Sequence, residues 1–292
     1  NRIHALDGLR VISILMVMVY HYYYRFDGVK YKYPFHSAEI LYYGKLGVAL
    51  FFVISGFVIT LTLTHCNNLL EFVKKRFIRL IPAMFICTFV TYLIFTLFDN
   101  NSLFPASSDF RNLIVSNTFI KPSFFNRIFG LNLEYIDGAY WSIWIELQFY
   151  MIAGVLYFLS PKNLLRSFAI YSAITTTYFL YNKFNVNHLH GSVSYIYGHY
   201  DLWFLSGIIV NKLYTNPKSH INLVYLTVVI AVQMFIQSNT IAIFCSAIIA
   251  LIFIAFVYKQ EYLSFLESRF LGRIGIATYS IYLIHQNDEK KM

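Results

Sequence analysis

The chain has 292 residues, 58% of them hydrophobic, 20% aromatic and only 13% charged, with a mean hydropathy of +0.56. A soluble domain carries about 25% charged residues, so the composition excludes an ordinary soluble enzyme and indicates a polytopic helical membrane protein. The net charge of +9 would suggest nucleic acid in a soluble chain, but excess Lys and Arg on cytoplasmic loops accounts for it here and no nucleic-acid partner is expected.

The first apolar run, residues 8 to 24, follows Ala5-Leu6-Asp7 and carries Arg10 near its start and His21 near its end. At about 100° per residue the two side chains share one helix face, roughly 16 Å apart along the axis. Ionisable groups inside spans are costly and usually face a polar interior or a substrate path. A neutral imidazole can take a proton from a hydroxyl near neutral pH. The alternative is an interfacial histidine within an aromatic belt of Tyr20, Tyr22, Tyr23 and Tyr24. The second run, 46 to 64, contains Ser55-Gly56, which permits close helix approach.

The third run, 77 to 98, is entered through Lys74-Lys75-Arg76-Phe77-Ile78-Arg79. Arg76 and Arg79 are at i and i+3 and share a face. Guanidinium groups fork onto phosphates, which suits an anionic cytosolic cofactor; positive-inside anchoring or lipid headgroup binding is the plainer account. The loop over residues 99 to 140 is long enough to be functional or partly re-entrant.

The fourth run, 141 to 159, opens with Trp141-Ser142 and holds Glu146, a carboxylate deep enough to need a partner. Glu146 can orient His21, bind an acceptor hydroxyl, or make a structural interhelical bond. Ser142 reads first as a helix cap and second as a substrate contact. Five further runs follow at 164 to 181, 200 to 214, 221 to 236, 240 to 258 and 274 to 286, the second and last of them short for a full span. Trp203, Tyr195 and Tyr197 are candidates for stacking on sugars in outer loops. Cys66, Cys87 and Cys245 form neither a disulfide frame nor a metal spacing. The zinc, dinucleotide and phosphate-loop fingerprints are absent, and no metal is expected.

The first apolar run carries Arg10 and His21 and lacks a small-residue cleavage site, so it reads as a span and not as a cleavable signal peptide. With the N-terminus cytoplasmic, the inner cations, among them Arg10, Lys74, Lys75, Arg76, Arg79, Lys162 and Arg166, outnumber the outer ones. That orientation draws His21, Glu146 and His285 toward the outer half of the membrane.

Five ordered motifs give the chain a family likeness. Ala5-Leu6-Asp7-Gly8-Leu9-Arg10 through His21, Gly47 through Thr60, Arg76-x-x-Arg79-x-x-Pro82, Trp141-Ser142-x-x-x-Glu146 with Phe149-Tyr150, and Tyr279-Ser280-x-Tyr282-Leu283-x-His285 resemble the acyltransferase-3 family. These are membrane-bound O-acyltransferases, many of them acetylating bacterial surface polysaccharides. The resemblance implies an all-α polytopic bundle of about nine to ten spans in the bacterial inner membrane. It covers residues 1 to 292 as a single membrane-embedded domain with the last span truncated and no appended esterase-like domain.

The resemblance also implies acetyl-CoA as donor and a carbohydrate or lipid-linked glycan hydroxyl as acceptor, of the O-antigen, lipopolysaccharide, capsular or exopolysaccharide kind. His21 is then the catalytic base for direct attack by the acceptor hydroxyl, or carries the acyl group in a relay, with Glu146 and Arg10 as further catalytic residues. Arg76, Arg79 and Arg10 bind the donor, and Ser142, Trp141, Tyr150, Tyr282 and His285 face the acceptor. Two other classes stay open. A transporter would also carry intramembrane His and Glu, although no internal symmetry is visible. A non-catalytic membrane component of polysaccharide assembly would make His21 and Glu146 dispensable.

Overall fold

A computed structural model describes residues 3–25, 39–99, 104–184, 200–237 and 239–285. Among them every regular element is helical. They fall into two compact units, one drawn from Asn1–Leu69 and Phe149–Ile276, the other from Leu70–Gln148 and Ala277–Met292.

The first unit begins with α1, His4–Tyr20, which runs on into a π-helical turn, His21–Arg25. The short α2, Glu39–Tyr42, leads through a 3-10 turn into α3, Gly47–Leu63. The second unit contains α4, Leu69–Phe98, the short helices α5, Phe110–Asn117, and α6, Pro122–Phe129, and the start of α7, Trp141–Leu159. The chain returns to the first unit for α8, Leu164–Phe184, α9, Asp201–Thr215, α10, His220–Ile236, and α11, Thr240–Tyr258. A 3-10 segment, Gln260–Glu267, precedes α12, Arg269–Ile284, whose second half belongs to the second unit.

Each of the nine apolar runs of the sequence falls on a helix along most of its described length. Five helical stretches are long and apolar enough to cross a membrane: His4–Tyr24, Ile40–Leu63, Leu69–Phe98, Gly138–Leu159 and Thr240–Tyr258. The others fall short for physical reasons. At 15 and 16 residues, α9 and α12 reach only about 22 to 24 Å against a hydrocarbon core of about 30 Å. In α8, Arg166, the Thr175-Thr176-Thr177 run and Lys183 dilute the apolar character.

In the first unit α3 and α9 meet at two glycines. A β-carbon on Gly56 would strike the Phe204 carbonyl, and one on Gly207 would strike the Val53 carbonyl and the Gly56 backbone. The close approach expected of Ser55-Gly56 is therefore made against α9. Around it Phe204 stacks on Phe149 at 4.0 Å between ring centroids and lies 4.5 Å from Phe52. These contacts bury α9 on nearly every side. Trp203 sits inside α9 with 4% of its surface exposed, so it is a core residue and not an outer-loop sugar platform. Tyr195 and Tyr197, the other two stacking candidates, lie outside the described residues.

In the second unit residues 104–140, ahead of α7, are built, not loose. Asp109 caps α5 by accepting from the Arg111 amide at 2.8 Å. Ser107 donates to the Ile136 carbonyl, Ser116 accepts the Ile136 amide, Asn112 accepts the Glu134 amide, and Asn126 bonds Leu133 through both its amide atoms. Side chains thus do for residues 133–136 what a sheet partner would do elsewhere.

The surface is apolar and much of the polar inventory is inside. Phe85, Ile86, Phe89, Leu93 and Leu97 are exposed along α4, as are Val224, Val228 and Phe235 on α10, whereas Ser13, Thr60, Thr88, Ser172, Gln233 and Ser246 are buried. Such a distribution would aggregate in water and suits hydrocarbon.

Candidate active site

The first two turns of α1 pair a carboxylate with a guanidinium. Arg10 Nη1 lies 2.9 Å from Asp7 Oδ1, with side-chain exposures of 14% and 5% respectively. Gly275 lets α12 come close enough that a β-carbon there would meet Asp7 itself. The carboxylate is thereby wedged and the cation's direction set. Asp7 is the partner of Arg10 that a sequence search for cation and base alone passes over; its signal is an acid three residues before Arg10 at the head of an apolar helix.

Three turns on, α1 ends at Tyr20 and the π-helical turn starts at His21. π turns inside or at the end of α-helices concentrate at functional sites. His21 is 7% exposed, with Tyr20 packed edge-on at 4.9 Å, whereas Tyr22 and Tyr23 are exposed. The histidine thus faces inward while its tyrosine neighbours form the outer belt. Its Nδ1 is 2.9 Å from the Val17 carbonyl. A carbonyl only accepts, so Nδ1 carries the proton and the lone pair of the neutral ring is on Nε2.

Two further groups of this unit matter. Tyr150 is buried at 3% exposure. Asp201 is buried in the first turn of α9, close to Tyr171 and Thr175 of α8; the Thr175 hydroxyl itself lies within bonding distance of the Tyr171 and Ser172 carbonyls. Sequence reasoning did not single out Asp201, although an acid beginning an apolar run was a visible cue.

In the second unit Arg76 and Arg79 have different surroundings. Arg76 is buried, its guanidinium over the Phe72 ring at 5.6 Å, and Arg79 is exposed. Anchoring at a membrane surface does not require a buried guanidinium.

Entry into α7 is organised by Asp137, fully buried, whose Oδ1 accepts the Ala139 amide at 2.8 Å. Asp137 is the cap of this helical entry. Ser142, expected first as a cap, bonds elsewhere: its hydroxyl is 2.7 Å from the Tyr282 hydroxyl and 3.2 Å from the Ala139 carbonyl. Tyr282 also donates to the Ala139 carbonyl at 3.2 Å, and Tyr140 donates to the Leu283 carbonyl. The end of α12 is thus stitched to the start of α7 by hydroxyl groups. Glu146 is buried at 4% exposure one turn beyond Ser142, and Trp141 is half-buried. His285 is buried, with Nδ1 2.7 Å from the Tyr282 carbonyl, to which it donates. Among the acceptor-side candidates, Ser142, Tyr282 and His285 come together.

Comparison with known proteins decides the family. The profile of the acyltransferase-3 family, described as an acyltransferase domain, matches residues 3–287. The chain belongs to this family. The acyltransferase domain is 32% identical over 189 residues to the O-acetyltransferase OatA of Staphylococcus aureus strain NCTC 8325, covering 59% of this chain and 28% of that protein. To an O-acetyl transferase of Shigella phage Sf6 it is 28% identical over 159 residues, covering 53% of this chain and 46% of the phage protein. The acyltransferase domain therefore matches less than half the length of either relative. No solved structure matches it.

Proposed function

We propose that the acyltransferase domain transfers an acetyl group from acetyl-CoA to a hydroxyl of a bacterial cell-surface carbohydrate, with His21 as general base. The observation that carries this reading is the inward-facing His21 at the π turn, its Nδ1 2.9 Å from the Val17 carbonyl, which in the neutral ring puts the lone pair on Nε2. Nε2 removes the acceptor's hydroxyl proton as the oxygen attacks the thioester carbonyl. The C–S bond then breaks, and the coenzyme A thiolate leaves and is protonated by the imidazolium, which restores the neutral ring.

Arg10, held by Asp7, supplies a fixed positive charge on the same helix, roughly 16 Å of axial rise from the base. It serves the donor's anionic groups. Arg76 is proposed to bind a donor phosphate, with Phe72 under its guanidinium, and Arg79 assists from the surface. Glu146 is proposed as a positioning residue, with Ser142, Trp141, Tyr150, Tyr282 and His285 on the acceptor side. Water exclusion by the apolar helices favours transfer over hydrolysis.

For the membrane, we propose about nine to ten spans in the bacterial inner membrane with the N-terminus cytoplasmic, the short α9 being enclosed by its neighbours and so not required to match the bilayer thickness. A cysteine at position 21 should be labelled from outside more readily than one at position 10. The reaction is tested by mass spectrometry of surface glycans from cells with and without the gene. A gain of acetyl mass on a glycan supports the proposal, and identical glycans contradict it.

A further inference from the structure

Between α8 and α10, floored by α9, runs a cleft of about 910 Å³. It lies wholly within the first unit and is separate from α1. Its walls are aliphatic along most of their length, with Ile170 and Ala173 on α8, Leu205 on α9 and Val228 on α10. Lys162 and Arg166 line one end. Lys162 lies in the 3-10 turn Pro161–Asn163 just before α8 and Arg166 in the first turn of α8. Both are exposed, and neither pairs with a carboxylate among the described residues. From Arg166 to Leu180 the cleft follows α8 for about 21 Å, more than one leaflet of a hydrocarbon core about 30 Å thick.

We propose that this cleft is a specific site for an anionic phospholipid. Its phosphate is held by Lys162 and Arg166, and an acyl chain lies between α8 and α10 against Leu205. Charge complementarity selects the headgroup, because two cations with no acidic partner among the described residues favour a negative lipid over a zwitterionic one. The aliphatic walls select the chain: the amides of a pantetheine arm would find few partners there, whereas methylenes need none. The proposal does not depend on the acyl-transfer reading and is tested without it.

The Ile170→Trp variant is reconstituted into phosphatidylcholine vesicles containing a small fraction of brominated phosphatidylglycerol or brominated phosphatidylcholine. The quenching gained over the parent chain reports occupancy of the cleft. At about fivefold per cation, the anionic lipid should be preferred roughly thirtyfold. The preference should vanish in Ile170→Trp carrying Lys162→Glu and Arg166→Glu. Without those changes it should shrink at about 1 M salt, where the screening length is about 3 Å. Equal quenching by both lipids would overturn the proposal and leave ordinary boundary lipid. So would a preference that survives both charge reversal and high salt, or displacement of the anionic lipid by coenzyme A.

Discussion

Arg10 is tied to Asp7 one helical turn earlier, guanidinium to carboxylate at 2.9 Å, and the carboxylate is among the most buried charged groups of its unit. An ion pair in this setting is sensitive to loss of one partner, because the survivor stays desolvated. Asp7→Ala should therefore destabilise the protein by about 3 kcal/mol, read as thermal unfolding in detergent. The double variant with Arg10→Ala should cost less than the sum of the singles, with a coupling of about 1 to 3 kcal/mol. Strict additivity would mean that the pair does not act as a unit.

The hydroxyl stitch between α7 and α12 makes a second prediction. Ser142→Ala and Tyr282→Phe each remove one end of the 2.7 Å contact, and each should cost about 1 kcal/mol. A double-mutant cycle on unfolding should show that most of this cost is shared. If Ser142 were only a helix cap, Tyr282→Phe would leave its contribution unchanged.

At the α3 and α9 crossing, a side chain on Gly207 has nowhere to go, since backbone atoms of Val53, Gly56 and Phe57 occupy the space. Gly207→Val should cost about 3 kcal/mol or abolish the folded protein. The yield of monodisperse protein after extraction measures this. Gly130, whose β-carbon would meet nothing within 4 Å, serves as contrast: Gly130→Asn retains a residue type tolerant of the left-handed cap and should lower yield little.

Outside the spans, the hydrogen bond from Arg111 is the main influence holding the Asp109 carboxyl below its usual value of 3.8, with partial burial opposing it. A lowered folded value stabilises the native state above the unfolded value and loses that contribution as pH falls through the folded one. Protection of the α5 amides from hydrogen exchange should therefore be insensitive to this group between pH 5 and 8 and weaken below the usual carboxylate range. Asp109→Ala should cost about 1 kcal/mol at neutral pH through loss of the cap.

Much of the helical layout was legible in the sequence, because apolar run length is local information and the bilayer requires it. The Arg10 and His21 spacing was legible for the same reason: both lie on one helical path. What was not legible depends on distant chain. Ser142 reads as a cap until Tyr282, 140 residues away, is seen beside it. Trp203 reads as a loop aromatic until α9 is seen enclosed. The polar lattice under residues 133–136 involves partners 20 to 29 residues away, and no periodicity announces it. Arg76 and Arg79 look equivalent at i and i+3, and only packing makes one buried and the other exposed.

The central claim is that His21 is the base. The direct measurement is acetyl transfer from labelled acetyl-CoA to surface glycan in membranes holding the parent chain or His21→Ala, with thermal unfolding checked in parallel. The account predicts a folded variant slowed by about 10²-fold or more. A folded His21→Ala protein that acetylates at the parent rate would contradict it.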